Sequence, residues 1–99
     1  GKTELRPCCV WNTMPPHTRI LRMEAYFCFD LDETNAVCHF MGPIDEPRHV
    51  WMKKHEAVLS PSWSIHSACA TRNYTFIWGM AGENLQYDDM DSCSPTDLK

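Results

Sequence analysis

Apolar and polar positions in this chain fall into short runs separated by turn-forming clusters, and no stretch carries a helical stripe longer than two turns. Residues 24–29, Glu-Ala-Tyr-Phe-Cys-Phe, are rich in aromatics and fit a buried or half-buried strand. The polar cluster 30–35 then reads as a turn, because Asp and Asn side chains hydrogen-bond their own backbone there. Residues 37–41 predict the next strand, closed by Gly42-Pro43 and the polar stretch to Pro47. Residues 48–52 and 57–59 read as further strands, and 64–67 continue the sheet beyond Pro61. Residues 74–80, Tyr-Thr-Phe-Ile-Trp-Gly-Met, mix β-branched and aromatic side chains and are the most strand-like segment. Strands recurring at roughly 8–12-residue spacing predict an all-β sandwich or barrel. After Gly82 the chain turns acidic, with Asp88, Asp89 and Asp91, which predicts a tail wrapped over the surface or a neighbouring subunit.

Composition narrows the picture. A length of 99 residues predicts a single domain over 1–99. A core that small is marginal alone, so a homo-oligomer is expected. The formal net charge is −4 and the nine Lys and Arg residues are scattered, so no clustered basic face is offered to nucleic acid. No apolar run approaches the roughly 20 residues that span a bilayer, and the opening residues lack a signal-peptide core. Both features predict a soluble, cytoplasmic protein with no membrane partner. Cys8, Cys9, Cys28, Cys38, Cys69 and Cys93 contain no Cys-x-x-Cys pair. Several sit in apolar surroundings, where free cysteine behaves as a small hydrophobe, and free thiols are expected.

Candidate chemistry lies at His17, Arg19, Glu24 and His66. His17 precedes the aromatic strand, Glu24 opens it, and His66 is distant in sequence. An antiparallel barrel can bring such segments onto one inward face. Two imidazoles and a carboxylate suit zinc, iron, manganese or nickel, with an open position left for Lewis-acid chemistry. The same side chains are also compatible with solvated or hydrogen-bonded structural roles.

The blocks Gly1-x-Thr-Glu-Leu-x-Pro7, Trp11-Asn-Thr-Met-Pro15, His17-Thr18, Arg22-Met-Glu-x-Tyr-Phe27, Arg48-His49, Ser60-Pro-Ser-Trp-Ser-Ile-His-Ser67 and residues 74–80 resemble the 5-keto-4-deoxyuronate isomerases, a family of ketol-isomerases. The tail motifs Gly82-Glu-Asn84 and Asp88-Asp-Met-Asp91 agree. The resemblance covers the whole chain but only the metal-carrying C-terminal half of such an enzyme. It implies a double-stranded jelly-roll cupin with bound zinc, acting on a keto-uronate from pectin breakdown. The ligand pattern implied by the family falls on His17, Arg19, Glu24 and His66, so His17, Glu24 and His66 are the expected metal shell.

Arg19 departs from that pattern. A guanidinium stays protonated and has no lone pair for a cation. Three ligands completed by water are one outcome; pairing with Glu24, or a bidentate grip on a substrate carboxylate, are others. A weakened metal site is the expectation. Ile20 and Leu21 stand where the family is polar, which suggests a remodelled core or subunit interface in a diverged or engineered single-cupin form. For carbonyl migration, the resemblance implies a metal to polarise the carbonyl and an acid–base group to move a proton. Glu24 and Tyr26 are the catalytic candidates, with His49 and Asp88 behind them; strand packing, a surface position and a solvated turn are the structural readings of the last three. Trp63 and Trp78 either line a sugar pocket or pack the core. The alternatives to an isomerase are a non-catalytic metal-binding or assembly-forming cupin and a metal-free sugar-binding module.

Overall fold

The structure, a computed structural model, describes residues 1–19, 21–82 and 90–99. Among them the chain forms strands β1 (Lys2–Glu4), β2 (Trp11–Arg19), β3 (Arg22–Asp30), β4 (Val37–Met41), β5 (Arg48–Met52), β6 (Ala57–Ser60), β7 (His66–Ala70), β8 (Thr75–Gly82) and β9 (Met90–Ser92). A 3-10 turn at Pro95–Asp97 follows. The strands build a four-stranded sheet, β1-β8-β3-β6, and a five-stranded sheet, β5-β4-β7-β2-β9. Every pairing is antiparallel.

Alternation decides what lies between the layers, because successive strand residues point to opposite faces. In β3 the inward row is Arg22, Glu24, Tyr26 and Cys28, all buried, while Met23, Ala25 and Phe27 are more open. Tyr26, Cys28, Val58 and Phe76 meet Val37, Met52 and Ala68 from the opposite sheet in one apolar cluster. The protein is therefore all-β, with the two packed antiparallel sheets of a jelly-roll, cupin-like sandwich. The sheets share no ladder among the described residues, so the layers are not one closed ring of hydrogen bonds. The β3 row runs from apolar at Cys28 to charged at Arg22, and that gradient places polar chemistry at one end of the core.

Three strands go beyond the hydrophobic pattern. β2 contains Pro15 and Pro16, and proline cannot donate to a ladder. The structure resolves the conflict with a register break. β2 pairs Trp11 with Cys69 and Asn12 with Ala68, then resumes only at His17 opposite His66. The prolines fall inside that irregularity, where no ladder donor is needed. β1 is short, and β9 comes from the acidic tail. Its Met90, Asp91 and Ser92 edge the five-stranded sheet opposite Arg19, Thr18 and His17.

One glycine fixes the approach to β7. Gly42 closes β4 at φ +98, a backbone region that side chains rarely adopt. Its N–H donates to Ser64 Oγ at 2.7 Å and its carbonyl accepts from Ile65 N at 3.0 Å. Residues 61–64 consequently form a turn, with Ser64 N donating to the Pro61 carbonyl. The expected strand at 64–67 thus begins at His66 instead.

Candidate metal centre

His17 and His66 are directly opposed across β2 and β7. Side chains so placed have Cβ atoms about 4.5–5.5 Å apart, and here the two Nε2 atoms approach to 2.8 Å with the rings edge to face. Glu24 arrives from β3 in the other sheet, its Oε2 3.4 Å from His66 Nε2. All three residues are buried, and their candidate ligand atoms lie within 4.8 Å of one another. The structure thus brings together the three expected metal-shell residues.

The hydrogen bonds around the imidazoles orient them. His17 Nδ1 lies 3.0 Å from the Pro15 carbonyl, which can only accept, so Nδ1 is the donor there and Nε2 faces His66. Burial first, then His17, His39 and Arg19 nearby, push the His66 imidazolium down to about 3, so His66 is neutral at ordinary pH. The 2.8 Å contact between the two Nε2 atoms has the length of a hydrogen bond in which one ring donates to the other, and a metal ion would take the place of that proton. Around a tetrahedral zinc with bonds of about 2.0–2.1 Å, neighbouring ligand atoms stand about 3.3 Å apart. The observed separations of 2.8 and 3.4 Å lie on either side of that value. The three residues can therefore hold a metal ion.

Arg19 follows His17 by two positions on β2, so it shares the inward face. Its Nε lies 2.7 Å from Glu24 Oε1, with both side chains about 95% buried (5% and 6% exposed). Of the outcomes open in the sequence, pairing with Glu24 is the one observed. Tyr26 donates its hydroxyl proton to Glu24 Oε2. Burial, reinforced by the Glu24 carboxylate, pushes the Tyr26 phenol well above its usual range, so it keeps that proton. Glu24 therefore has one oxygen on a guanidinium and the other shared between Tyr26 and His66. A cation must enter beside an existing positive charge.

The site opens into a cavity of about 260 Å³ lined by Thr13, His17, Arg19, Glu24, Tyr26 and Trp78, among others. This is slightly below the roughly 300 Å³ where small-molecule pockets begin. Trp78 lies at the cavity and donates its Nε1 proton to Thr3 at 3.2 Å. Trp63 does not line it and is 63% exposed. His49 is exposed on β5 beside Trp51, away from the cavity. Asp88 and Ile20 lie outside the described residues, and Leu21 is exposed. The six cysteines are free thiols.

One residue near the site escaped the motif reading. His39 on β4 is 2% exposed, tilts against the Tyr26 ring at 5.3 Å, and has no hydrogen-bond partner for Nε2 among the described residues. Burial holds its imidazolium down at about 4. Its signal was the alternation of residues 37–41, which places His39 inward with Val37.

Fold and site together define an all-β, cupin-like class of protein in which two sheets gather histidines and a carboxylate between them. No protein-family model matches the chain. Across all 99 residues it is 68% identical to a 4-deoxy-L-threo-5-hexosulose-uronate ketol-isomerase of Bacteroides fragilis, covering 35% of that protein. It is 57% identical to the enzyme of that name in Formosa agariphila, again over 35% of it. The figures for the Shigella boydii enzyme are 54% and 36%. The chain thus matches one part of these ketol-isomerases over its full length, as the motif resemblance implies, and spans about a third of the length of the curated relatives.

Proposed function

We propose that this chain forms the metal-binding cupin part of a ketol-isomerase acting on a 4-deoxy-5-ketouronate. The observation that carries the proposal is the convergence of His17, Glu24 and His66 from three strands of two sheets into one buried donor set. A ketol isomerisation removes a proton from a carbinol carbon and returns one to the neighbouring carbonyl carbon through an enediol. A divalent ion, zinc by the family resemblance, would supply carbonyl polarisation there. His17, Glu24 and His66 would hold it. Tyr26, kept protonated, is suited to donating a proton or hydrogen bond to a developing oxyanion rather than to acting as a base. The Arg19 guanidinium, held on Glu24, adds positive charge to the cavity wall that a uronate carboxylate would face. The proposal carries with it a small keto-uronate as partner, a homo-oligomeric assembly and a cytoplasmic setting. Among the described residues no helix is long and apolar enough to cross a membrane.

The Arg19–Glu24 ion pair supports a second reading, a scaffold on the same fold with a weakened or metal-free site. Elemental analysis of protein purified without chelator or nickel resin separates the two. Near one divalent metal per chain, lost in His66→Ala, supports the first reading, and turnover of the keto-uronate then tests the isomerase itself. Metal-free protein that also takes up no added zinc rules the first reading out.

A further inference from the structure

Cys38 and Cys69 are directly opposed across the β4–β7 ladder. Opposed residues of antiparallel strands place their Cα atoms about 4.5–5.5 Å apart, inside the roughly 4.4–6.8 Å span that a disulfide bridges. Their Cβ atoms, at about 4.5–5.5 Å, need only a small closure to reach the span of about 3.5–4.5 Å. Alternation carries both away from Val37 and Ala68, the neighbours that enter the core. In the same cross-sheet row stand Trp51, opposite Cys38, and Trp11, opposite Cys69. These tryptophans are 58% and 39% exposed, so the row lies on the outer face of the five-stranded sheet. Cys38 is buried within that row and Cys69 is half-buried.

We propose that Cys38 and Cys69 are a reversible redox site, a cross-strand dithiol that a peroxide converts to a disulfide. Cys69, the more accessible sulfur, attacks first. Its thiolate forms an S–O bond as the peroxide O–O bond breaks, and the departing hydroxide leaves as water after taking up a proton. The Cys38 sulfur then attacks the Cys69 sulfenic acid. The S–S bond forms, the S–O bond breaks, and the hydroxyl leaves as a second water with the Cys38 proton. The two sulfurs lose two electrons in total and the peroxide gains them. A small thiol in excess reverses the change by thiol–disulfide exchange. Cys8, Cys9, Cys28 and Cys93 have no such opposed partner in the ladders described. The bridge would fasten β4 to the strand that begins at His66.

The test is peptide mapping of the folded full chain after treatment with about one equivalent of hydrogen peroxide. Trypsin with a glutamate-specific protease separates Cys28 from Cys38, because Glu33 lies between them. The expected product is a cross-linked pair of peptides, one carrying Cys38 and the other Cys69, two hydrogens lighter than their sum and released by thiol reductant. Cys69→Ser should leave Cys38 fully alkylatable after the same treatment. The proposal is overturned if both sulfurs stay alkylatable in the unmodified sequence, or if the cross-links join other cysteines instead. It is equally overturned if Cys38 is oxidised as fully in Cys69→Ser. Should that variant fail to fold, the map of the unmodified sequence decides alone.

Discussion

Replacing Arg19 with histidine asks whether the guanidinium limits metal binding at a donor set that is otherwise in place. Arg19 Nε lies 2.7 Å from Glu24 Oε1, and the three donor atoms lie within 4.8 Å of one another. A dication among them is about 5 Å from the guanidinium. At an effective dielectric of about 20, charges of +2 and +1 at that distance repel by about 7 kcal/mol. Water in the cavity and relaxation of the Arg19 side chain away from the ion screen this further, leaving on the order of 2–3 kcal/mol. Removing it should tighten zinc binding about 30- to 150-fold, and an imidazole in its place adds a fourth nitrogen donor in the same direction. The assay is competition against a chromophoric zinc chelator near pH 7, with Arg19→Met as the charge-removal control. Both variants should gain, with histidine ahead. Equal affinity in all three proteins would refute the electrostatic argument, and a gain confined to histidine would place the defect in the missing ligand alone.

His39 should make the fold acid-sensitive. Its folded value of about 4 lies below the ordinary 6.5, so the unfolded chain takes up the proton first. The stabilising contribution of neutral His39 is complete above about pH 6.5 and lost as pH falls toward 4, up to about 3 kcal/mol. The gap between urea midpoints at pH 7 and 4.5 should therefore narrow in His39→Phe, with the part due to His66 remaining; an unchanged gap would contradict this. Tyr26→Phe removes the proton donated to Glu24 and should cost about 1.5–3 kcal/mol in urea unfolding, as a hydrogen bond to a charged group does. If zinc affinity fell with it, Tyr26 would have to act on the metal shell as well. Met52 is 2% exposed in the core, and Met52→Ala should lower stability by about 2–5 kcal/mol; a loss under 1 kcal/mol would mean that the sheets close over the cavity. Added zinc at about 100 times its Kd should stabilise the protein by about 2.7 kcal/mol and raise its thermal midpoint. Excess chelator should reverse the shift, and His66→Ala should abolish it.

The all-β class was legible because β3 to β8 carry their information locally. Their aromatic and β-branched runs alternate, and turn residues such as Gly42-Pro43 and Pro61 separate them. β2 was not legible as a strand, since Pro15 and Pro16 argue against one and the register break that accommodates them depends on β7. β9 hides in an acidic tail because an edge strand needs little apolar character when only its backbone is recruited. His17, Glu24 and His66 were nameable through the family resemblance. Spacing alone could not do it, because their proximity arises from two separate ladders and the packing of one sheet on another. The choice among Arg19's possible partners needed coordinates for the same reason. His39 lies within a correctly expected strand, but nothing local distinguishes a buried imidazole facing Tyr26 from a solvated one.

The donor set belongs to neither layer alone. His17 and His66 are fixed to one sheet and Glu24 to the other, with Arg19 reaching across to it. A bound cation would therefore act as a rivet through the sandwich, and parting the layers would dismantle the site in a single event. Ligand release by opening and loss of tertiary structure then become the same motion. Amide exchange in β3 and β7 should slow together when the ion is present.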